Sequence, residues 1–132
     1  GIGLVGQASR DSKAQETDKF GSRLSFVCLP GTQGIYGFLS AFLVILKLGL
    51  TGEAVVTLTT FQGLQIFMTC LPIAFTGLIS GIHQGKVCAA GVYMVAKQPK
   101  DMMKPVILAA LVETYAVLGL LITIILLNGI QL

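Results

Sequence analysis

The feature that most narrows what this chain can fold into is a set of three apolar stretches, each long enough for a membrane-crossing helix, which takes about 20 residues. They run from about Leu24 to Leu48, from about Val55 to Ala96 and from about Pro105 to Ile130. Leu, Ile, Val and Phe occupy most sides of each, so they read as lipid-facing helices and not as members of an amphipathic soluble bundle. Composition agrees: 11% of residues are charged, where a soluble domain carries about 25%. The Pro30-Gly31 pair is the only breaker inside the first stretch, and Pro105 opens the third at a first-turn position. The second, about 42 residues long, predicts a long tilted helix that protrudes on the side of Lys86 and Lys97.

These stretches leave no room in 132 residues for a nucleotide-binding catalytic domain. A net charge of +3, with the basic residues in short loops, argues against nucleic acid as a partner. Cys28, Cys70 and Cys88 are odd in number and lie in apolar surroundings, so they read as small buried hydrophobes and not as a disulfide framework or zinc site. Gly1-Ile2-Gly3-Leu4-Val5-Gly6 fits GxGxxG by chance, since no strand precedes it and a polar, basic segment follows.

The charges are asymmetric. Arg10, Lys13, Lys19 and Arg23 precede the first full span, and Lys97, Lys100 and Lys104 lie between the second and third, while the segment 47–54 offers only Lys47. The positive-inside rule puts the two basic loops in the cytoplasm and turns the 47–54 loop and the C-terminus outward.

An offset of 80 residues lays Gly1-Ile2 on Gly81-Ile82, the basic loop 17–23 on the loop 97–103, and Gln33 on Glu113. Helix, loop and charge register agree together, which marks an internal repeat. The expected fold is an all-α membrane protein of four transmembrane helices arranged as two repeated hairpins. Residues 1–48 hold a partial helix 1, a cytoplasmic loop and helix 2; residues 55–132 hold helix 3, a cytoplasmic loop and helix 4. On this reading helix 1 is truncated in the sequence as given, because the counterpart of Val55 falls about 25 residues before Gly1.

Glu113 stands eight residues past Pro105 and 17 before Ile130, about 12 Å from one helix end and 26 Å from the other. A charge at such depth costs on the order of 2.5–3.5 kcal/mol, so it needs a partner and commonly marks an ion or proton path. The blander role is a structural acid bonded to a neighbouring helix. Gln84 on the preceding helix and Thr32 and Gln33 at the repeat-equivalent depth offer a hydroxyl and two amide carbonyls. With the carboxylate, these are hard oxygen donors suited to a small hard cation, whereas a proton needs the carboxylate alone. Taken singly, each also fits plain helix-to-helix hydrogen bonding.

Pro30 removes a helical bond to Phe26 and frees backbone oxygens near Leu29, or simply kinks the span. Tyr36, one turn past Thr32 and Gln33, has a hydroxyl suited to holding a carboxylate, whereas Tyr115 is two residues from Glu113 and faces elsewhere. Gly77, Gly81, Gly85 and Ala89 form a small-residue stripe for close helix packing, extended by Gly1, Gly3 and Gly6. His83 points about 100° away from Gln84 and reads either as a neighbour-bonded histidine or as a pH-sensitive accessory.

Three strings carry a resemblance: Leu29-Pro30-Gly31-Thr32-Gln33-Gly34-Ile35-Tyr36-Gly37, Ser80-Gly81-Ile82-His83-Gln84-Gly85-Lys86 and Leu111-Val112-Glu113-Thr114-Tyr115-Ala116. They closely resemble the K subunit, or proteolipid, of V-type ATPases, especially bacterial sodium-translocating ones, and the likeness covers essentially the whole chain. The resemblance implies a non-catalytic, multi-pass subunit of the cell membrane, assembled as a homo-oligomeric rotor ring. That ring turns in membrane lipid against a stator subunit with a transmembrane arginine, and a central-stalk subunit sits on its cytoplasmic loops. It also implies Na+ (or H+) as the transported ion, carried by Glu113 with Thr32, Gln33, Gln84 and the Leu29 carbonyl as ligands and Tyr36 bonded to the carboxylate. His83 stands where the family commonly has a small residue. The readings left beside it are a proton-translocating ring and, in another class, a non-rotary membrane pore or scaffold.

Overall fold

The computed structural model describes residues 1–12, 20–52 and 56–131, and within them every regular element is helical. The elements are α1 (Ile2–Asp11), α2 (Phe20–Cys28), a 3-10 turn (Leu29–Gly31), α3 (Thr32–Lys47), α4 (Thr60–Lys97), a second 3-10 turn (Pro99–Asp101) and α5 (Met103–Gly129). Among the described residues three helical stretches are long and apolar enough to cross a membrane: Arg23–Lys47, Thr60–Lys97 and Pro99–Gly129. They coincide with the three apolar stretches of the sequence. α1, the expected partial helix, has ten residues, about 15 Å, which is half a hydrocarbon thickness. Lys13 and Lys19 of the first basic loop lie outside the described residues, as does Val55.

The start of the long helix differs from the sequence expectation. α4 begins at Thr60, because Thr59 closes a capping box with Gln62: the Thr59 hydroxyl accepts from the Gln62 amide, and the Gln62 side chain accepts from the Thr59 amide. Residues 56–59 are not helical. α3 ends by the complementary device. Gly49 takes φ 68°, its N–H donates to the Leu46 carbonyl and the Leu50 N–H donates to the Ile45 carbonyl, the two bonds of a Schellman cap.

α4 is the spine against which α1, α3 and α5 pack. Val5 and Ala8 of α1, Phe26 of α2, Cys88, Val92 and Val95 of α4 and Ala109 of α5 form a single core near the basic loops. Of the three cysteines, all free, Cys88 alone is buried; Cys70 is half-buried and Cys28 exposed. Apolar surroundings in a lipid-facing helix therefore do not imply burial within the chain.

Glycines allow the helices to approach. A side chain at Gly85 would strike the backbone of Gly1, and one at Gly1 would strike the Gly81 carbonyl. The stripe is therefore used at Gly81 and Gly85. Among the described residues of this chain no other helix comes close at Gly77, where a side chain would meet only Ile73 of the same helix, nor at Gly3 and Gly6, where a side chain would meet nothing within 4 Å. The reason is helical phase: Val5 and Ala8 hold the buried face of α1, and Gly3 and Gly6 fall off it. Ala89 is partly buried beside the core.

Two further close approaches lie outside the small-residue stripe. Gly91 lies against Pro105 and Phe26, and Gly119 lies against Thr76 and the Pro72 carbonyl. Pro72, inside α4, has no N–H and disturbs the turn before it. The next amide, Ile73 N–H, donates across to the Thr123 hydroxyl of α5 at 3.2 Å. The outer faces are apolar and open: Phe38 is 72% exposed and Leu78 65%. Such surfaces suit lipid or neighbouring chains.

Candidate ion-binding site

The polar residues singled out in the sequence converge where α3, α4 and α5 meet. Pro30 sits in the 3-10 turn between α2 and α3, and the Leu29 carbonyl that opens this turn accepts from the Thr32 hydroxyl at 3.0 Å. The Thr32 oxygen also lies 3.4 Å from Gln33 Oε1. Gln33 is 8% exposed, and its amide Nε2 donates to Gln84 Oε1 at 2.5 Å. Gln84 is fully buried; its Nε2 donates to the Ala109 carbonyl and to Glu113 Oε2, each at 3.2 Å. The second carboxylate oxygen, Glu113 Oε1, accepts from the Tyr36 hydroxyl at 2.6 Å.

Every buried amide and hydroxyl in this chain of contacts has a partner, as interior polar groups require. Among the described residues the charge of Glu113 is met by two hydrogen-bond donors and by no basic side chain. Each carboxylate oxygen keeps a free lone pair, and the oxygens of Leu29, Thr32, Gln33 and Gln84 lie along the same connected path. Among the described residues no three of His, Cys, Asp and Glu gather to form a metal centre, so the set is one carboxylate plus neutral oxygens. Such donors match a hard, weakly polarising cation and not a transition metal.

Two sequence expectations sit beside the site without joining it. His83 is exposed and lines a groove of about 500 Å³ with Phe75, Ile79, Ser80, Val112 and Tyr115. Tyr115 is 66% exposed on that same side, away from the carboxylate. The Ala109 carbonyl, which shares Gln84 Nε2, was not foreseen. The sequence does hold a signal for it, since Ala109 lies one helical turn before Glu113 on the same face of α5.

Residues 67–126 match the family of the ATP synthase C subunit. The chain is 48% identical over 126 residues to V-type sodium ATPase subunit K of Enterococcus hirae, an alignment that covers 96% of this chain and 77% of that protein. It is 35% identical over 130 residues to A-type ATP synthase subunit K of Methanocaldococcus jannaschii, covering 98% of this chain and 54% of that relative. The chain thus spans about half the length of the second relative and about three quarters of the first. The identity to the sodium ATPase subunit extends over nearly all of a chain whose apolar helices surround one carboxylate, and the chain belongs to the subunit K family of rotary membrane ATPases.

Proposed function

We propose that this chain is a rotor-ring subunit of a V-type ATPase that carries Na+ across the cell membrane on Glu113. The observation that carries this reading is the environment of Glu113, a carboxylate between membrane-length helices whose oxygens are held by Tyr36 and Gln84. The sodium named for the Enterococcus hirae relative supports the choice of ion.

An empty carboxylate in hydrocarbon is unstable, so Glu113 faces lipid only when a bound cation or a proton neutralises it. For Na+, the Leu29 carbonyl, the Thr32 hydroxyl and the Gln33 and Gln84 amide oxygens complete a hard-oxygen shell around the carboxylate. In this scheme the ion takes the place of the Gln33 N–H on Gln84 Oε1. A proton would satisfy Glu113 alone and needs no set of neutral oxygens gathered beside it, which favours Na+. Beside a stator arginine the ion is displaced into an aqueous half-channel, so rotation of the ring and transfer of the ion become one event. Moving each charge against 100 mV takes about 2.3 kcal/mol, supplied by ATP hydrolysis on another subunit.

The basic loops face the cytoplasm and the central stalk, and the fold is that of two repeated helical hairpins. Gln33 stands where the second repeat has Glu113, so one carboxylate serves four helices. Fewer ions then pass per turn and each receives more of the torque, which suits ATP-driven pumping.

The test is ATP-driven uptake of radioactive sodium by membrane vesicles carrying the assembled complex. Glu113→Gln is expected to leave ring assembly intact and abolish uptake. Uptake at the unsubstituted rate would remove Glu113 from the transport path.

A further inference from the structure

We infer that Lys47 is a positioning residue for the ion site: its ammonium clasps the far end of α5 and thereby fixes the register of α3 against α5. This inference rests on the ion-carrying role of Glu113 given above. Among the described residues, two hydrogen bonds join α3 to α5. One is Tyr36 to Glu113; the other runs from Lys47 Nζ to the Leu127 carbonyl. Between them the serine and threonine hydroxyls of the two helices bond elsewhere: Ser40 to the Tyr36 carbonyl, Thr114 to the Leu111 carbonyl and Thr123 to Ile73 of α4.

Apolar helices in lipid have little to resist sliding, because lipid tails are as apolar as their own side chains, and a few polar links set their register. Lys47 is well placed to act as one. It ends α3, and the carbonyl that it reaches lies in the last turn of α5, where it accepts only a long 3.4 Å bond from the Ile130 N–H and a cation is favoured at the negative end of the helix. Counted along the helices from the Tyr36–Glu113 link, the clasp is eleven residues away on α3 and fourteen away on α5, about 16 and 21 Å. An extended lysine side chain spans the difference. Lys47 is also the only charged side chain among the described residues between Tyr36 and Ile82, so no other ionic contact there shares the task. A slip of one helical turn, about 5.4 Å, would part Tyr36 from Glu113 and carry Thr32 and Gln33 out of line with the carboxylate.

The experiment is equilibrium binding of radioactive sodium to the purified ring, with thermal dissociation of the ring followed in parallel. Lys47→Met is expected to raise the Kd for Na+ about threefold to tenfold, part of what a charge-assisted hydrogen bond is worth. Lys47→Arg, which keeps a long donor, is expected to restore most of the affinity. An unchanged Kd in Lys47→Met, whether or not the ring dissociates at a lower temperature, would overturn the positioning role. If Lys47→Met yields no ring, Lys47→Gln decides by the same criterion, since its shorter amide cannot reach across. Absence of saturable Na+ binding in the unsubstituted ring is a separate outcome: it would remove the ion reading itself, and the inference with it.

Discussion

Tyr36 and Glu113, 77 positions apart in the chain, meet in a 2.6 Å hydrogen bond from the phenol to the carboxylate. The contact ties α3 to α5 at the acidic side chain between the membrane-length helices. Gln84 holds the other carboxylate oxygen from α4, so three helices grip one acidic side chain.

Tyr36→Phe keeps the ring and deletes the donor. A hydrogen bond to a charged group contributes about 1.5–3 kcal/mol, so the affinity for Na+ is expected to fall about tenfold or more. Equilibrium binding to the purified ring measures this directly. Ring assembly is expected to be unaffected, because the hydroxyl bonds within the site, to Glu113.

Gly119→Ala tests the closest approach of α4 and α5. The added methyl would run into the Thr76 hydroxyl and come within 3.1 Å of the Pro72 carbonyl. Overpacking of this kind typically costs about 1–3 kcal/mol. Thermal dissociation of the ring is expected to shift down, and Thr76→Ala in the same chain is expected to recover part of the loss.

Thr123→Val removes the acceptor of the Ile73 amide at the Pro72 break while keeping the side-chain shape. Interhelical hydrogen bonds in membranes average about 0.6 kcal/mol. A small loss of thermal stability is therefore expected, with Na+ affinity unchanged, since Thr123 lies more than two helical turns from Glu113 along α5.

The sequence is most legible where burial of charge or polarity carries a high cost. Glu113, Gln84, Thr32 and Gln33 stand out in apolar stretches, and the repeat offset alone brings Gln33 to the level of Glu113. Pro30 likewise marks the Leu29 carbonyl. Glycine is less legible, because a stripe of small residues specifies close approach without saying by what. Gly81 and Gly85 receive Gly1, whereas a side chain at Gly3 or Gly6 would meet nothing among the described residues. The pairing of Ile73 with Thr123, like that of Lys47 with Leu127, joins residues far apart in the chain and depends on relative helix register. No local pattern encodes it. The capping box at Thr59, in contrast, is present in the sequence as Thr59-x-x-Gln62, and it sets the start of α4 more sharply than the apolar stretch does.

Carbodiimide modification of Glu113 in the isolated ring, at one fixed pH and with Na+ or K+ added to equal ionic strength, bears most directly on whether this carboxylate holds a cation. Protection that saturates with Na+ and is absent with K+ is the expected result. Modification at the same rate in both salts would mean that the oxygens around Glu113 bind no sodium, and that the side chain serves the bundle in some other way.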